Sequence, residues 1–254
     1  MVRAIMHGCN GRMGRVITSL IKEDEAIEIV AGVDTYTETA NDYPVLENIG
    51  ACTVEADVVI DFSNAGAIDG LLDYCVEKKL PVVLCSTGLS EQQLKKVEES
   101  AKETAVLKSA NMSMGINLLL KLLKEAAGVL APAGYDIEIV EKHHNQKLDA
   151  PSGTAIALAD SIDEALGNTL DYTYDRSKER KKRGKKEIGI SAVRGGTIVG
   201  EHEVLFAGMD EVIEFKHTAY SRGVFGKGAV EAAKYLAGKP AGRYDMSNVI
   251  QFGD

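Results

Sequence analysis

Short apolar runs alternate with amphipathic stretches through the first 110 residues of the chain. The apolar runs predict strands at residues 3–6, 27–33, 56–62, 81–85 and 105–108. The stretches between them predict helices at residues 15–22, 65–79 and 91–102, the last begun by a capping box of Ser90 and Gln93. Strands separated by helices pair in parallel through right-handed crossovers. This part of the chain is therefore predicted to be an α/β domain of the Rossmann type.

The pattern changes after Asn111. Residues 116–130 and 152–166 predict helices, residues 135–140 predict a strand, and three strands follow in succession at 186–193, 197–206 and 211–219. Successive strands with short connections indicate a mixed or antiparallel sheet, which predicts an α+β domain. A last helix is predicted at residues 228–236. We expect a dinucleotide-binding domain at residues 1–111 and 219–254 and a second domain at residues 112–218.

Composition narrows the class of protein. The chain has 254 residues, of which 45% are hydrophobic and 26% charged, and its net charge is −9. An acidic surface disfavours binding to nucleic acid, and no apolar run approaches the roughly 20 residues of a membrane span. The four cysteines form no Cys-x-x-Cys pair. We therefore expect neither a metal site nor disulfide bonds, and we expect a cytoplasmic protein.

A glycine-rich turn follows the first predicted strand and opens the first predicted helix. Its residues are Gly8-Cys9-Asn10-Gly11-Arg12-Met13-Gly14. Such a turn lets the backbone approach a pyrophosphate at a helix N-terminus. Asp34 ends the second strand, where a carboxylate can accept hydrogen bonds from the adenosine ribose. Asp34 would repel a 2′-phosphate and so favours NADH, whereas Arg12 could offset that repulsion and leaves NADPH open.

A second segment, residues 141–155, leaves a strand, forms an irregular loop and enters a helix. Pro151 and Ser152 are predicted to lie in the first turn or cap of that helix, so that its N-terminus forms a pocket for a carboxylate. The nearby His143, His144 and Lys147 could supply protons after hydride delivery. The alternative is a capped helix after a polar surface loop, with histidines that serve only packing.

Six segments, in order, resemble the 4-hydroxy-tetrahydrodipicolinate reductase family: GCNGRMG, VIDFS, CSTG, SANMSMGIN, EKHHNQKLDAPSGTA and VRGGTIVGEHEVLFAG. The resemblance extends over nearly the whole chain. It implies an oxidoreductase that uses NADH or NADPH to reduce a cyclic imine dicarboxylate, with loss of water, in the diaminopimelate branch of lysine biosynthesis. It also implies a homotetramer assembled through the sheet of the second domain.

The resemblance implies a role for individual residues. His143 matches a proton donor and acceptor, and Lys147 matches a second proton donor. The implied substrate contacts are His144, Gly153 and Thr154. The implied cofactor contacts are Gly8, Cys9, Asn10, Gly11, Arg12, Met13, Asp34, Cys85, Ser86, Thr87, Ser109, Ala110, Asn111 and Met112.

Other functions remain open on the sequence alone. Cys85 could be the nucleophile of a semialdehyde dehydrogenase, although a cysteine packed in a turn is the commoner case. A sensor that binds NADH without chemistry is a third possibility, but no helix-turn-helix pattern accompanies the nucleotide motif. Residues 176–186 carry eight basic side chains and one acid. They form either a solvated loop, which we favour, or a surface that attracts acidic ligands.

Overall fold

In a computed structural model, which describes residues 1–178 and 180–250, the chain divides into two compact units. The first comprises Met1–Met114 and Gly223–Asp254, and the second comprises Gly115–Arg222. Each unit has its own sheet and its own buried core. No helix in the described part of the chain is both long enough and apolar enough to cross a membrane.

The first unit is built on a seven-stranded parallel sheet of strand order β12-β6-β5-β4-β1-β2-β3. Its strands are β1 (Val2–His7), β2 (Ile27–Val33), β3 (Val45–Leu46), β4 (Val58–Asp61), β5 (Val82–Leu84), β6 (Ala105–Leu107) and β12 (Gly242–Tyr244). Its helices are α1 (Arg12–Lys22), α2 (Ile68–Lys78), α3 (Glu91–Ala101), α6 (Gly223–Leu236) and α7 (Met246–Val249), with short 3₁₀ turns at Ile49–Ala51 and Ala65–Ala67.

Both faces of this sheet are buried, which explains why its central strands are continuous apolar runs. One core contains Ile17 of α1 and Leu236 of α6, and the other contains Leu72 of α2 and Val97 of α3. Strand order reverses direction between β1 and β4, the point where open α/β sheets bind ligands at the carboxyl ends of their strands. The predicted Rossmann-type fold is confirmed.

The second unit carries a mixed five-stranded sheet of strand order β11-β10-β7-β9-β8. Its strands are β7 (Asp136–His143), β8 (Asp171–Thr173), β9 (Glu187–Arg194), β10 (Gly200–Ala207) and β11 (Val212–Ala219), and its helices are α4 (Met114–Leu130) and α5 (Gly153–Ala165). The pairs β7–β10 and β10–β11 are antiparallel, whereas β7–β9 and β8–β9 are parallel. The predicted α+β class with a mixed sheet is thereby confirmed.

Alternate residues of β7 and β10 face the core of the second unit. Ile137 and Ile139 of β7 pack with Val204 and Phe206 of β10 and with α4 and α5. The period of two continues to the end of β7, where it places Glu141 and His143 on the same buried face. Two ionisable side chains therefore occupy core positions at one end of this sheet.

The structure corrects several predicted boundaries. β7 extends through His143, so residues 141–143 are strand rather than irregular loop. α6 begins at Gly223, before the predicted start at residue 228. Pro151 precedes the helix cap and is not in the first turn, whereas Ser152 is the cap as expected. The strands β3, β8 and β12 and the helix α7 were not predicted, because none exceeds four residues.

The basic segment at residues 176–186 is partly neutralised by acidic side chains of the second sheet. Arg176 lies 2.6 Å from Glu138, and Arg183 lies 3.0 Å from Glu138 and 2.9 Å from Asp136. Lys178 is exposed. Residue 179, the one acid of the segment, lies outside the described residues. Ion pairs therefore hold at least Arg176 and Arg183 against the second sheet.

Close packing of α6 predicts a large effect of a single added methyl group. A Cβ on Gly228 would lie 1.7 Å from the backbone carbonyl oxygen of Met112. Gly228→Ala should lower the free energy of unfolding by roughly 2 kcal/mol or more, because backbone must move to admit it. Urea denaturation followed by circular dichroism measures the change.

Gly128→Ala is the matched control. Gly128 is also a helical glycine, but nothing lies within 4 Å of the position of its Cβ. Alanine there should raise the free energy of unfolding by about 0.5–1 kcal/mol through helix propensity. Equal effects of the two substitutions would contradict the packing argument.

Candidate active site

The glycine-rich turn at residues 8–14, called here the phosphate turn, leaves no room for side chains at two positions. Gly8 has φ +82°, and a Cβ there would lie 2.7 Å from the carbonyl oxygen of Phe62. A Cβ on Gly14 would lie 2.2 Å from the carbonyl oxygen of Gly8. α1 begins after Gly11 without a side-chain cap. The geometry is that of a turn whose backbone N–H groups can receive a phosphate.

Asp34 is held against the phosphate turn by its own hydrogen bonds. Its carboxylate accepts from the backbone N–H of Asn10 at 2.9 Å and from that of Tyr36 at 3.0 Å. The side chain of Asn10 in turn donates to the carbonyl of Tyr36 and accepts from Asn41. Asp34 is therefore fixed at the carboxyl end of β2, and Asn10 braces the segment after it.

A crevice of about 500 Å³ opens at the carboxyl ends of β1, β2 and β4. The predicted Gly8, Gly11 and Asp34 line it. Several other lining residues were not among the predicted cofactor contacts: His7, Thr35, Asn48, Phe62, Ser63, Asn64 and Ala67. At its base His7 Nδ1 lies 2.7 Å from Asp61 Oδ1, and both residues are buried. The sequence signal for His7, Thr35 and Phe62 is their place at or just after the end of an apolar strand.

The side chains of the other implied cofactor residues differ in their exposure to solvent. Cys9 and Met112 are buried members of the core, so only their backbone is available. Arg12 is exposed at the start of α1 and Met13 is half-buried. The two remaining segments, residues 85–87 and 109–112, follow β5 and β6 and so lie at the same edge of the sheet as the crevice, although they do not line it.

Cys85 is poorly suited to nucleophilic attack. Desolvation, reinforced by the charge of Asp61, raises the pKa of its thiol well above the usual value. A catalytic cysteine requires the opposite shift, because the thiolate is the nucleophile. The environment of Cys85 therefore favours the packing role over the dehydrogenase alternative.

In the second unit His143 ends β7 beside a buried carboxylate. Its Nδ1 lies 2.6 Å from Oε2 of Glu141, which has no exposed surface. Arg194, the neighbour of His143 on β9, donates to both oxygens of Glu141, at 2.7 and 2.8 Å. Although desolvation opposes ionisation, these hydrogen bonds hold the pKa of Glu141 below its usual value.

Two histidines share this environment and both are disposed to be neutral. Desolvation lowers the pKa of His143, and the nearby Glu141 offsets this only in part. The ring of His202, on β10, lies edge-on to His143 with centroids 5.1 Å apart. Desolvation, then the charge of His143, lowers the pKa of His202 to about 4. A neutral imidazole near pH 7 can both accept and return a proton.

Some of the hydrogen-bonding groups at the N-terminus of α5 are already used in bonds within the protein. The hydroxyl of Ser152 accepts from the N–H of Ala155 and bonds to His202, while its own N–H donates to Glu141. The N–H and the hydroxyl of Ser152 are therefore both engaged within the protein. Gly153 is exposed and Thr154 half-buried at the first turn.

Lys147 is paired with a carboxylate of the same loop. Its ammonium lies 2.9 Å from Asp149, and hydrogen bonds from Lys147 and, more weakly, from backbone N–H groups including that of Gly153 hold the pKa of Asp149 below its usual value. His144 is half-buried at the start of this loop. A carboxylate thus already lies between a lysine and the N-terminus of a helix.

The structure brings together His143 and three residues to which no role was assigned from the sequence: Glu141, Arg194 and His202. The available signals were a charged residue at a core position of a strand and the polar residues of the segment at 193–208. Among the residues described, no group of three or more His, Cys, Asp or Glu side chains could hold a metal ion.

Comparison with protein families decides the membership of the chain. A model described as the N-terminus of dihydrodipicolinate reductase matches residues 2–112, and the corresponding C-terminal model matches residues 115–250. The chain belongs to the dihydrodipicolinate reductase family. It is accordingly an oxidoreductase with a dinucleotide-binding fold, and the family resemblance noted in the sequence is confirmed.

Named reductases align with this chain over nearly its whole length. A 4-hydroxy-tetrahydrodipicolinate reductase from Caldanaerobacter subterraneus subsp. tengcongensis is 53% identical over 100% of both chains. One of the same name from Clostridium tetani is 53% identical over 98% of this chain and 97% of its own. Among solved structures, a dipicolinate-bound dihydrodipicolinate reductase from Paenisporosarcina sp. TG-14 has a TM-score of 0.82 and 25% identity, covering 98% of this chain and 100% of that one.

The hydrogen bonds of Asp34 allow its charge to be tested apart from its shape. Asp34→Asn in this reductase should raise the ratio of kcat/KM for NADPH to that for NADH by about tenfold or more. The reason is that the neutral amide removes charge repulsion against a 2′-phosphate, while its oxygen can still accept from Asn10. Steady-state kinetics with both cofactors measures the ratio.

Asp42→Asn serves as the control, since Asp42 is an exposed carboxylate of the same unit whose ion pair is with Lys22. It should leave the ratio unchanged. A ratio that does not move in Asp34→Asn would remove Asp34 from the ribose site.

Proposed function

We propose that this chain reduces 4-hydroxy-tetrahydrodipicolinate to tetrahydrodipicolinate with NADH or NADPH, in the diaminopimelate pathway of lysine biosynthesis. The observation that carries the proposal is full-length membership of the family, with relatives of that name at 53% identity. In the reaction one water leaves the substrate, and a hydride and a proton are added. The bound nicotinamide supplies the hydride and leaves as NAD⁺ or NADP⁺.

The first unit would hold the dinucleotide. The space kept clear at Gly8 and Gly14, and the uncapped start of α1, fit a pyrophosphate on the phosphate turn. Asp34 would accept hydrogen bonds from the ribose hydroxyls, which favours NADH. We assign residues 85–87 and 109–112 to the remaining cofactor contacts, because they end strands at the same edge of the sheet.

The second unit would hold the dicarboxylate substrate and move protons. Gly153 and Thr154 lie in the first turn of α5, where backbone dipoles favour a carboxylate, and His144 precedes them in the same loop. The ammonium of Lys147 would pair with the substrate in place of Asp149. His143 would transfer the proton that completes reduction, with Lys147 as a second donor.

The same proposal extends to assembly and location. A homotetramer through the second sheet is consistent with apolar side chains that this unit exposes on its strands, namely Val193 and Val212. Four free cysteines are consistent with a reducing cytoplasm. Light scattering coupled to size-exclusion chromatography measures the assembly.

The experiment that tests the reaction is a coupled assay. Dihydrodipicolinate synthase generates the unstable substrate from pyruvate and aspartate semialdehyde, and the loss of NADH or NADPH absorbance is followed. Oxidation that requires this chain and both precursors supports the proposal and ranks the cofactors. Absence of oxidation by folded protein that binds NADH would contradict it.

Within that assay His143→Gln should lower kcat by about 10²–10⁴-fold, because it removes the proton-transferring group. The dissociation constant for NADH should change by less than about twofold, since the phosphate turn is in the other unit. Lys142→Gln is the matched control, because Lys142 is the preceding residue on the opposite face of β7. A raised NADH dissociation constant with normal kcat would contradict the role of His143.

Cys85→Ala separates the reductase from a thiol-dependent dehydrogenase. With a thiol that resists ionisation, the reductase should retain most of its activity, within about twofold of the unmodified protein. Abolished activity, with NADH binding intact, would favour a covalent intermediate on Cys85. The coupled assay and a fluorescence titration with NADH provide both measurements.

A further inference from the structure

The carboxylate of Glu141 has every hydrogen-bonding position filled by a different donor group. Oε1 accepts from the backbone N–H of Ser152 at 2.9 Å and from Nη2 of Arg194 at 2.7 Å. Oε2 accepts from Nη1 of Arg194 at 2.8 Å and lies 2.6 Å from Nδ1 of His143. Because an ionised carboxylate can only accept, Nδ1 of His143 must carry the proton of that hydrogen bond.

We propose that Glu141 and Arg194 act as a positioning pair that fixes His143 in the Nδ1–H tautomer and makes Nε2 the nitrogen that transfers the proton. The inference rests on the proposed function, in which His143 acts as the acid and base. In this proposal both residues act through the histidine, since Glu141 is fully buried against it and Arg194 bonds to Glu141.

Neighbouring residues leave Nε2 of His143 uncovered and restrict the orientation of its ring. A Cβ on Gly200 of β10 would lie 3.2 Å from Nε2, so that a glycine there leaves the nitrogen uncovered. His202 packs against the ring at an interplanar angle of 73°. Its own Nε2 is committed to the hydroxyl of Ser152 at 3.0 Å. The ring is therefore held on one edge by Glu141 and on one face by His202.

The pair also balances charge on the imidazole. Burial alone would make protonation of His143 costly, and an unpaired Glu141 would make it too favourable. Arg194 offsets the negative charge of Glu141 through hydrogen bonds to both of its oxygens, while leaving the Nδ1–H bond intact. The charged groups that face His143 are Glu141, Arg194 and Lys147, with His202 beside it as a further titratable ring.

The step that this geometry serves is a single proton transfer. The donating form of His143 is the imidazolium, in which Nε2 has taken up a proton from solvent while Nδ1–H remains hydrogen-bonded to Glu141. Once hydride has added to the substrate, the Nε2–H bond breaks as a C–H bond forms from the electron pair left on the substrate, and the ring nitrogen keeps the electrons of the broken bond. This leaves the neutral Nδ1–H tautomer, and the next proton from solvent, the one that the overall reaction consumes, restores the Nε2–H bond.

The first test uses the intact protein without substitution at the pair. The chain has five histidines, so ¹⁵N-histidine labelling gives few signals, and His143→Gln assigns the one in question. Above its titration midpoint, ¹H–¹⁵N long-range correlation should show Nδ1 of His143 protonated and Nε2 bare. The opposite tautomer would overturn the proposal whether or not His143 proves essential for turnover.

The second test compares the pH dependence of kcat/KM, which for a general acid falls as pH rises through its pKa. Glu141→Gln removes a charge that raises the pKa of His143, so the fall should move to lower pH. Arg194→Met removes a charge that lowers it, so the fall should move to higher pH. Both should lower kcat on the order of 10–100-fold, with KM changed much less.

Glu138→Gln is the matched control. Glu138 lies on the same strand, faces the other side of the sheet and, like Glu141, is paired with arginine, in its case Arg176 and Arg183. It should leave the pH profile in place. Shifts of Glu141→Gln and Arg194→Met in the same direction, or none, would show a role in stability alone and overturn the proposal.

A double variant separates this inference from the proposed function. In a His143→Gln background, Glu141→Gln should lower kcat by less than about twofold, because its effect passes through the missing imidazole. A full additional loss would overturn the positioning role. If His143→Gln itself keeps full activity in the coupled assay, the proposed function of His143 fails, while the tautomer measurement remains informative.

Discussion

The second unit depends on one buried charge, the carboxylate of Glu141. A carboxylate without exposed surface costs several kcal/mol unless donors replace its water, and here they come from three elements: the end of β7, the end of β9 and the cap of α5. Each element is fixed because the carboxylate would otherwise be left unsatisfied. His143, Arg194 and the start of α5 therefore take their positions from the same constraint.

The dinucleotide-binding unit depends on a different constraint, the close approach of backbone segments in the phosphate turn. Only residues without a side chain fit at Gly8 and Gly14, because a Cβ there would overlap neighbouring backbone atoms. Asp34 adds a charge that is oriented by two backbone N–H groups, and so it remains at the crevice without a cationic partner in its hydrogen bonds. Backbone geometry shapes one site, and side-chain electrostatics shapes the other.

This difference explains what could be predicted from the sequence. The phosphate turn, Asp34 and the cap at Ser152 depend on contacts between residues that are local or separated by one strand, so their spacing is visible in the chain. Glu141 and Arg194 are 53 residues apart in the sequence and lie on two different strands, so no local sequence pattern predicts their pairing. The end of β7 was placed too early because Glu141 and His143 are polar residues at core positions, where alternation predicts apolar ones.

The residues of β7 that the pattern did not predict as strand include Glu141 and His143. A strand that continues its period of two with a glutamate and a histidine on the core face keeps regular backbone pairing on both sides, to β9 and β10. The paired strands therefore hold the backbone of Glu141 and His143 more rigidly than a loop would. This restricts the positions of both side chains. Replacing a buried ion pair by apolar side chains of similar volume is often neutral or stabilising, so this pair is weak evidence for a role in stability. Its place at the end of a well-packed strand agrees instead with the proposal that it orients the imidazole beside it.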